Sequence, residues 1–285
     1  MNPIPIPGFA DPISSWTHLL AAVTALVGGR YLYLKGRGNS ARVASLMVFT
    51  FTLVFLFSMS GVFHLLERGG AARDVLQRLD HAGIWVLIAG TFTPIHVILF
   101  RGPLRWGILG LVWTLAITGL VLEVVFFTSF PEWLLLSFFL GLGWFGAITG
   151  LQFFRLFKDR SIRFLLAGGI FYSIGGFFDF IRWPTFITGV IGPHEIFHVF
   201  VILGALSHWW FVYEWSSHPV ANTLTINVYI YPNQRVVAQA QGEFLRFEAE
   251  SVEQLKEQIK YKVQEAFHTT LQPAIRLRYY QEEHL

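Results

Sequence analysis

Residues 43 to 66 read VASLMVFTFTLVFLFSMSGVFHLL, and no Asp, Glu, Lys or Arg interrupts these 24 residues. An α-helix rises about 1.5 Å per residue, so this stretch would form a helix of about 36 Å. The hydrocarbon core of a bilayer is about 30 Å thick. The stretch is apolar on every side and lacks the polar face of a surface helix in a soluble protein. It therefore predicts a helix that crosses a membrane.

Six further stretches each offer the roughly 20 mostly apolar residues that a membrane crossing needs: residues 15–34, 79–100, 106–127, 132–154, 164–183 and 194–215. Glycine, proline and charged residues occupy the short links between them, as expected for turns at the membrane edges. Only 14% of the chain is charged, whereas a soluble domain is roughly a quarter charged. We predict an all-α membrane protein, a seven-transmembrane helix bundle, over residues 1–218.

Residues 219–285, called the tail below, have a more polar composition. Leu224, Ile226 and Val228 alternate with polar residues, which predicts a half-buried strand closed by Pro232-Asn233. A second extended segment, residues 235–247, contains Gly242 and is a candidate hairpin. An amphipathic helix with a capping box at residues 251–254 and a last strand follow. The tail is therefore predicted to be a small soluble α+β domain.

Composition excludes several classes of site. The chain has no cysteine, so disulfides are excluded and a transition metal must be bound by His, Asp or Glu. Its net charge is only +3 and it has no long basic run, so no nucleic-acid partner is expected. Residues 1–14 contain no Lys or Arg, so we expect the first helix to be retained rather than cleaved as a signal peptide.

Polar residues within the predicted spans require an explanation, because an ionisable side chain at the centre of a membrane helix costs about 2.5–3.5 kcal/mol. Ser60 and His64 are four residues apart and share one face of the second helix. His194 and His198 have the same spacing in the seventh helix. Successive helices alternate in direction, so these residues and Asp80, at the start of the third helix, are predicted to meet at one side of the membrane.

Three imidazoles at that side would offer three nitrogen ligands and leave a fourth position for water, which is the pattern of catalytic zinc sites. We predict that His64, His194 and His198 bind zinc. Ser60 and Asp80 are the predicted catalytic residues, suited to orient a ligand or to accept a hydrogen bond from the water.

Other interpretations of these residues stay open. A single buried histidine is usually a hydrogen-bonded core residue rather than a metal ligand. The segment His194-Glu195-Ile-Phe-His198 also matches the HExxH motif of zinc proteases, in which Glu195 would be the general base, but the tail offers no persuasive third ligand. His18 and His81 are predicted to support the site or to cap helices. His96 and His208, toward the other membrane side, are assigned to interface or packing roles.

Several motifs together resemble the hemolysin III family, the bacterial branch of the progestin and adipoQ receptor family, in a superfamily that includes alkaline ceramidases. The resemblance extends from about Asp11 to His208. Its elements are Asp11-x-x-Ser14-x-x-Thr17-His18, Ser60-x-x-x-His64, LDHAGIWVLIAGTFTP at residues 79–94, Gly168-Gly-x-x-Tyr172-Ser-x-Gly175 and His194-x-x-x-His198.

This resemblance implies a seven-helix fold with zinc on the histidines at positions 64, 194 and 198, supported by Ser60 and Asp80. The family commonly has Glu and Asn where this chain has Asp11 and Ser14, which puts the contribution of the first helix in doubt. The tail is not part of the usual bacterial pattern, so the resemblance implies nothing about its role.

The leading functional hypothesis is a zinc-dependent hydrolase that cleaves an amide bond of a lipid, such as a ceramide-like molecule, with metal-activated water. A lipid or long-chain amide would be the substrate. The first alternative is a non-catalytic receptor or sensor in which zinc is structural and the tail relays a signal to a protein partner. The second alternative is a pore or transport protein of the hemolysin III type.

Loop charges predict the orientation. The loops on the zinc side hold four Lys or Arg residues, and the other side holds nine, excluding the tail. By the positive-inside rule, the second side and the tail are expected in the cytoplasm. The receptor branch of the family has the opposite orientation.

Overall fold

The computed structural model describes residues 4–6, 8–220, 223–231, 235–241, 243, 245–266 and 274–281. Ahead of the tail, these residues form eight helices: α1 (Pro12–Gly36), α2 (Ser40–Leu65), α3 (Ala71–Leu99), α4 (Pro103–Val125), α5 (Glu132–Trp144), α6 (Gly146–Phe157), α7 (Ile162–Phe180) and α8 (Pro193–Trp215). The predicted all-helical region is therefore confirmed.

Within the described residues, six helical stretches are long and apolar enough to cross a membrane: α2, α3, α4, α5 together with α6, α7 and α8. The first predicted span corresponds to α1, which is helical over 25 residues but is not among these six. Ser14, Ser15, His18 and Arg30 lower the mean hydropathy of α1. The seventh membrane crossing stays a prediction.

The fifth predicted span is irregular near its middle. It is a single apolar stretch, Glu132–Phe157, and its helical hydrogen-bond pattern is disturbed at Phe145 between α5 and α6, although Phe145 keeps helical backbone angles. Gly141, Gly143 and Gly146 surround this position. Glycine has a low helix propensity, so three glycines near one turn weaken the helix there.

Helix α3 lies at the centre of the bundle. Its apolar window is 83% buried, compared with 17% for α7, so α3 is covered by other helices on most sides. Helix α2 approaches it closely at Gly90, where a Cβ atom would lie 2.1 Å from Oγ1 of Thr52. Helix α1 packs on both α2 and α8. This arrangement places the end of α2 and the starts of α1, α3 and α8 at one end of the bundle.

The described residues of the tail form a four-stranded sheet and one helix: β1 (Thr223–Ile230), β2 (Val236–Ala240), β3 (Arg246–Ala249), α9 (Val252–Ala266) and β4 (Ala274–Gln281). The strand order is β3-β2-β1-β4, with β4 parallel to β1 and the other pairs antiparallel. Leu255, Ile259 and Val263 of α9 pack on the buried residues of the sheet. The predicted α+β fold is confirmed, whereas Pro232-Asn233 and Gly242 lie outside the described residues.

Arg42 connects the helical bundle to the tail. It is only 2% exposed although it lies near the start of a membrane helix. Its guanidinium pairs with the buried carboxylate of Glu243 at 2.8 Å. It also donates hydrogen bonds to the backbone carbonyl oxygens of Gly36, Arg37 and His218. A buried charge needs such partners, so this pair holds the tail against the ends of α1, α2 and α8.

We expect the substitution Glu243→Gln to loosen the tail. Removing one partner of a buried ion pair costs about 3–5 kcal/mol, because the other charge stays buried without a counter-charge. Arg42 keeps its carbonyl partners, so we expect the free energy that holds the tail on the bundle to fall by about 3 kcal/mol, the lower end of this range. Amide hydrogen exchange in residues 223–281 should become faster.

The matched control is Glu248→Gln. Glu248 pairs with Arg235 and Arg246 at the surface of the tail, where ion pairs contribute little. Equal acceleration of exchange in both variants would contradict the role given to Glu243.

Candidate metal centre

Three histidines meet at one end of the bundle and are called the histidine cluster below. His64 lies in the last turn of α2, and His194 and His198 lie in the first turns of α8. Nε2 of His194 is 3.1 Å from Nε2 of His64 and 3.1 Å from Nε2 of His198. The ligand atoms of the three residues all lie within 4.8 Å of one another, close enough to hold one metal ion.

Two of the three separations between the ligand nitrogens fit a tetrahedral site. Zinc binds histidine nitrogens at about 2.0–2.1 Å, so two ligands of a tetrahedral ion lie about 3.3 Å apart. The 3.1 Å separations in the histidine cluster are close to that value. The donor set consists of three nitrogens, which agrees with the absence of cysteine from the sequence. The cluster could therefore hold a transition metal, and its identity as zinc stays a prediction.

Carboxylates orient two of the imidazoles. Nδ1 of His64 lies 3.1 Å from Oδ2 of Asp11, and Nδ1 of His194 lies 3.2 Å from Oδ1 of Asp179. An ionised carboxylate only accepts hydrogen bonds, so Nδ1 carries the proton in each ring. The lone pair of Nε2 then faces the centre of the cluster in both rings. Carboxylates in this position are typical of metal-binding histidines.

Two arginines bind the carboxylate of Asp11, one from the link before α3 and one from the first turn of α3. Arg68 and Arg73 contact its two carboxylate oxygens at 2.5 and 2.6 Å. Burial alone would raise the pKa of Asp11, but the hydrogen bonds from His64, Arg73 and Arg68 outweigh burial and hold that pKa below its usual range. Asp11 therefore stays ionised at neutral pH. The sequence left the contribution of this first-helix residue in doubt, and the structure places it directly on His64.

Glu195 makes the contacts of a helix-capping residue rather than those of the general base that the HExxH motif would require. Its carboxylate accepts a hydrogen bond from the backbone N–H of Gly192 at 2.9 Å, which caps the start of α8. It also accepts a hydrogen bond from the hydroxyl of Ser14 at 3.0 Å. Both carboxylate oxygens of Glu195 are therefore used to tie α8 to its own first turn and to α1, which favours a structural role for this residue.

His18 covers the buried side of the cluster. Its ring stacks on the ring of His198, with centroids 3.7 Å apart and an angle of 11° between the planes. His18 is only 3% exposed. This contact limits the rotation of His198 and places α1 beside the histidine cluster.

A cavity of about 250 Å³ opens beside the histidine cluster. Ser60 and Asp80 both line it, together with His194 and His198. Ser60 is buried and Asp80 is half-buried. Because α3 begins at Ala71, Asp80 lies in its third turn and not, as the sequence had predicted, at its start. Most of the remaining wall is apolar, contributed by α3, α5, α7 and α8. The two predicted catalytic residues thus share one cavity with two of the predicted ligands, and their catalytic roles stay a prediction.

His81 belongs to a second polar network. Its Nδ1 lies 2.8 Å from Oε1 of Glu123 in α4, and the indole N–H of Trp85 donates to the other oxygen of Glu123 at 2.6 Å. Glu123 is 1% exposed. The carboxylate thus anchors one face of α3 to α4, while the ring of His81 lines the cavity.

The remaining histidines of the prediction differ from each other. His96 is buried and fixed, because its two ring nitrogens contact the carbonyl oxygen of Leu104 at 2.6 Å and the hydroxyl of Thr149 at 2.9 Å. This agrees with a packing role. His208, however, also lines the cavity, at the end opposite the histidine cluster.

Sequence reasoning missed Asp179 and Glu123, although a signal was present. Asp179 lies at the end of the sixth predicted span, and Glu123 lies near the end of the fourth. The alternation of helix direction assigns both positions to the same membrane side as His64. Both carboxylates were therefore predictable members of the same end of the bundle.

Comparisons with known proteins agree with this architecture. The family described as "Haemolysin-III related" matches residues 9–209. "Hemolysin-3" of Bacillus cereus is 29% identical over 191 residues, which are 66% of this chain and 84% of that protein. "Hemolysin-3 homolog" of Bacillus subtilis strain 168 is 30% identical over 198 residues, or 69% and 88%.

A plant protein, "Heptahelical transmembrane protein ADIPOR2" of Oryza sativa subsp. japonica, is 28% identical over 178 residues, 57% of this chain and 78% of that protein. The family match ends at residue 209, so it covers the helical bundle and the histidine cluster but not the tail. The chain is therefore a multi-pass membrane protein that belongs to the haemolysin III family and is related to the progestin and adipoQ receptors.

Proposed function

We propose that this protein is a zinc-dependent hydrolase that cleaves an amide bond of a long-chain lipid. The observation that carries the proposal is the position of the histidine cluster at the end of an apolar cavity that Ser60 and Asp80 also line. Three histidine ligands leave a fourth position for water, as in catalytic zinc sites. Zinc bound there would supply a Lewis acid that activates water for attack on a carbonyl group.

The protein's own residues supply the proton transfers and the orientation. In this proposal, the carboxylate of Asp80 accepts a proton from the attacking water and returns it to the nitrogen of the leaving amine. The hydroxyl of Ser60 donates a hydrogen bond that orients the water or the carbonyl oxygen. Asp11 and Asp179 hold the imidazoles of His64 and His194 in one tautomer and one direction.

The cavity favours an apolar substrate. Leu135, Leu136 and Phe139 of α5 line one side, and Phe197 and Val201 of α8 line the other. Such a wall offers an acyl chain the same environment as the bilayer interior, and the amide would lie at the polar end beside Asp80. A small polar substrate would leave this wall in contact with water.

The test is direct. Purified protein loaded with zinc is incubated with long-chain amides that differ in headgroup, and released fatty acid is measured by mass spectrometry. We expect release that requires zinc and stops on chelation. If zinc is bound in stoichiometric amount and no amide is cleaved, the hydrolase proposal is wrong.

A non-catalytic receptor is the second candidate, favoured by the contact between the tail and the bundle. Arg42 and Glu243 form a buried connection at the bundle end that lies opposite the histidine cluster. In a receptor, zinc would brace α2 against α8, and a change in their packing would reach the tail through Arg42. Binding of a protein partner to the tail that changes on zinc removal, with no turnover of any amide, would support this candidate.

We also propose that residues 1–218 and 219–285 act as separate domains and that the tail lies in the cytoplasm. Arg101 and Arg105 donate hydrogen bonds to the backbone carbonyls of Pro219 and Val220, so the tail docks on the more basic bundle end. The positive-inside rule assigns this end to the cytoplasm. A phosphatase reporter that works only outside the cytoplasm, fused after the tail, should therefore be inactive, and an active fusion would reverse the orientation.

A further inference from the structure

Tyr172 of α7 and His208 of α8 line the end of the cavity remote from the histidine cluster, and His198 of the cluster lines the other end. His208 follows His198 by ten residues on one helix, a distance of about 15 Å along the axis. The cavity is therefore lined by polar groups near both His198 and His208, and the space between them is called the channel below.

Paired glycines hold these two rings in place. A Cβ atom at Gly168 of α7 would lie 2.2 Å from Nε2 of His208, and a Cβ atom at Gly204 of α8 would lie 2.8 Å from the ring of Tyr172. Gly168 precedes Tyr172 by four residues, and Gly204 precedes His208 by four, so each glycine shares a helix face with one ring. Helix α7 thus carries Tyr172 and leaves space at Gly168 for His208. Helix α8 carries His208 and leaves space at Gly204 for Tyr172.

The polar atoms of this pair have complementary roles. Nε2 of His208 lies 3.1 Å from the carbonyl oxygen of Leu165, which can only accept a hydrogen bond. Nε2 therefore carries the proton, and Nδ1 of the neutral ring is an acceptor. The hydroxyl of Tyr172 can donate or accept. The ring centroids are 5.6 Å apart, so the two side chains are direct neighbours.

Neither atom is satisfied by the protein. Nδ1 of His208 and the hydroxyl of Tyr172 are buried and have no hydrogen-bond partner among the residues that the structure describes. Ser173, in the same wall, provides a contrast, since its hydroxyl accepts from the indole of Trp144 at 2.8 Å and donates to the carbonyl of Gly169 at 2.8 Å. Buried polar groups without a partner are unfavourable and rare, so this pair points to a ligand atom.

We propose that Tyr172 and His208 form a subsite for a hydroxyl group on a long-chain amphiphile, at the end of the chain remote from its polar head. A hydroxyl can donate to Nδ1 of His208 and accept from Tyr172 at the same time. A methyl end satisfies neither atom, and a carboxylate cannot donate to Nδ1. The proposal deepens the proposed function by naming its substrate class, a lipid with a second polar group, and it concerns binding alone.

Binding of paired ligands tests this subsite. Fatty acids of graded chain length, each beside its ω-hydroxy derivative, compete with a fluorescent fatty acid for the purified full-length protein. At the chain length that spans the channel, we expect the hydroxy derivative to bind about tenfold more tightly, the effect of one or two net hydrogen bonds. If each fatty acid and its ω-hydroxy derivative bind with equal affinity at every chain length, the proposal is overturned and water is the occupant of the subsite.

Two substitutions test whether the preference for the hydroxy derivative arises at this subsite. Tyr172→Phe keeps the ring over Gly204 and removes only the hydroxyl, so it should abolish the preference for the hydroxy derivative over the plain fatty acid. Ser173→Ala is the matched control, because it removes a neighbouring hydroxyl that is already paired, and it should keep the preference. If Tyr172→Phe lowers the affinity for both ligands equally, the proposed subsite is overturned.

The outcome is separable from the hydrolase proposal, since binding is measured without turnover and with or without zinc. A protein that cleaves amides but has no preference for hydroxylated chains overturns the subsite alone. A protein that prefers hydroxylated chains but cleaves no amide supports the subsite and overturns the hydrolase proposal.

Discussion

The substitution His64→Ala is expected to remove zinc from the purified protein. The remaining imidazoles of His194 and His198 lie on one helix and offer only two nitrogens, fewer than zinc sites use. Loss of a residue that merely orients a ligand costs about 10- to 100-fold in metal affinity, so loss of the ligand itself should cost more than 100-fold. Metal analysis of the purified variant measures the effect.

Two further variants show whether the loss is specific. Asp179→Asn keeps all three ligands and removes the carboxylate beside Nδ1 of His194, so its affinity for zinc should fall about 10- to 100-fold. His81→Gln is the matched control, because His81 lines the same cavity but pairs with Glu123 and should keep zinc. Stoichiometric zinc in His64→Ala would show that the histidine cluster is a hydrogen-bonded core and no metal site.

The substitution Asp80→Asn is expected to lower amide hydrolysis by about 10²- to 10⁴-fold, the usual contribution of a general acid or base. An amide side chain is similar in size to the carboxylate but cannot accept the proton of the attacking water. Because Asp80 is no ligand in this proposal, zinc content should stay unchanged. The measurement is released fatty acid per bound zinc, as kcat and as kcat/KM.

Glu132→Gln is the matched control for Asp80. Glu132 also lines the cavity with an acidic side chain, but it pairs with Arg182 at the exposed end of α5. Its amide variant should keep most of the activity. If Asp80→Asn hydrolyses the amide as fast as the unaltered protein while zinc stays bound, Asp80 has no part in catalysis and the receptor candidate gains weight.

The two variants separate binding from chemistry. His64→Ala tests the metal, and Asp80→Asn tests the proton transfer beside it. A receptor with structural zinc predicts the first result without the second, because Asp80 would then have no proton to move. The pair therefore distinguishes the two leading functions with one set of purified proteins.

Sequence alone predicted the helical segments and the common end of the bundle at which the three histidines lie. Apolar length is a local property, since each span must satisfy the bilayer by itself, and the predicted spans are helical over most of their length. Helix direction and the four-residue spacing predicted that His64, His194 and His198 lie at one end of the bundle. Neither step required knowledge of which helices are neighbours.

Helix rotation and lateral packing depend on contacts between residues far apart in sequence, and only the tertiary structure decided them. The pairing of Asp11 with His64 and of Asp179 with His194 has no local signature, because each joins two helices whose rotation is set by the whole bundle. The same is true of His208, which was predicted to serve packing but faces the cavity. Hydropathy predicts which residues enter the membrane, whereas the packing of side chains between helices decides which of them are in contact.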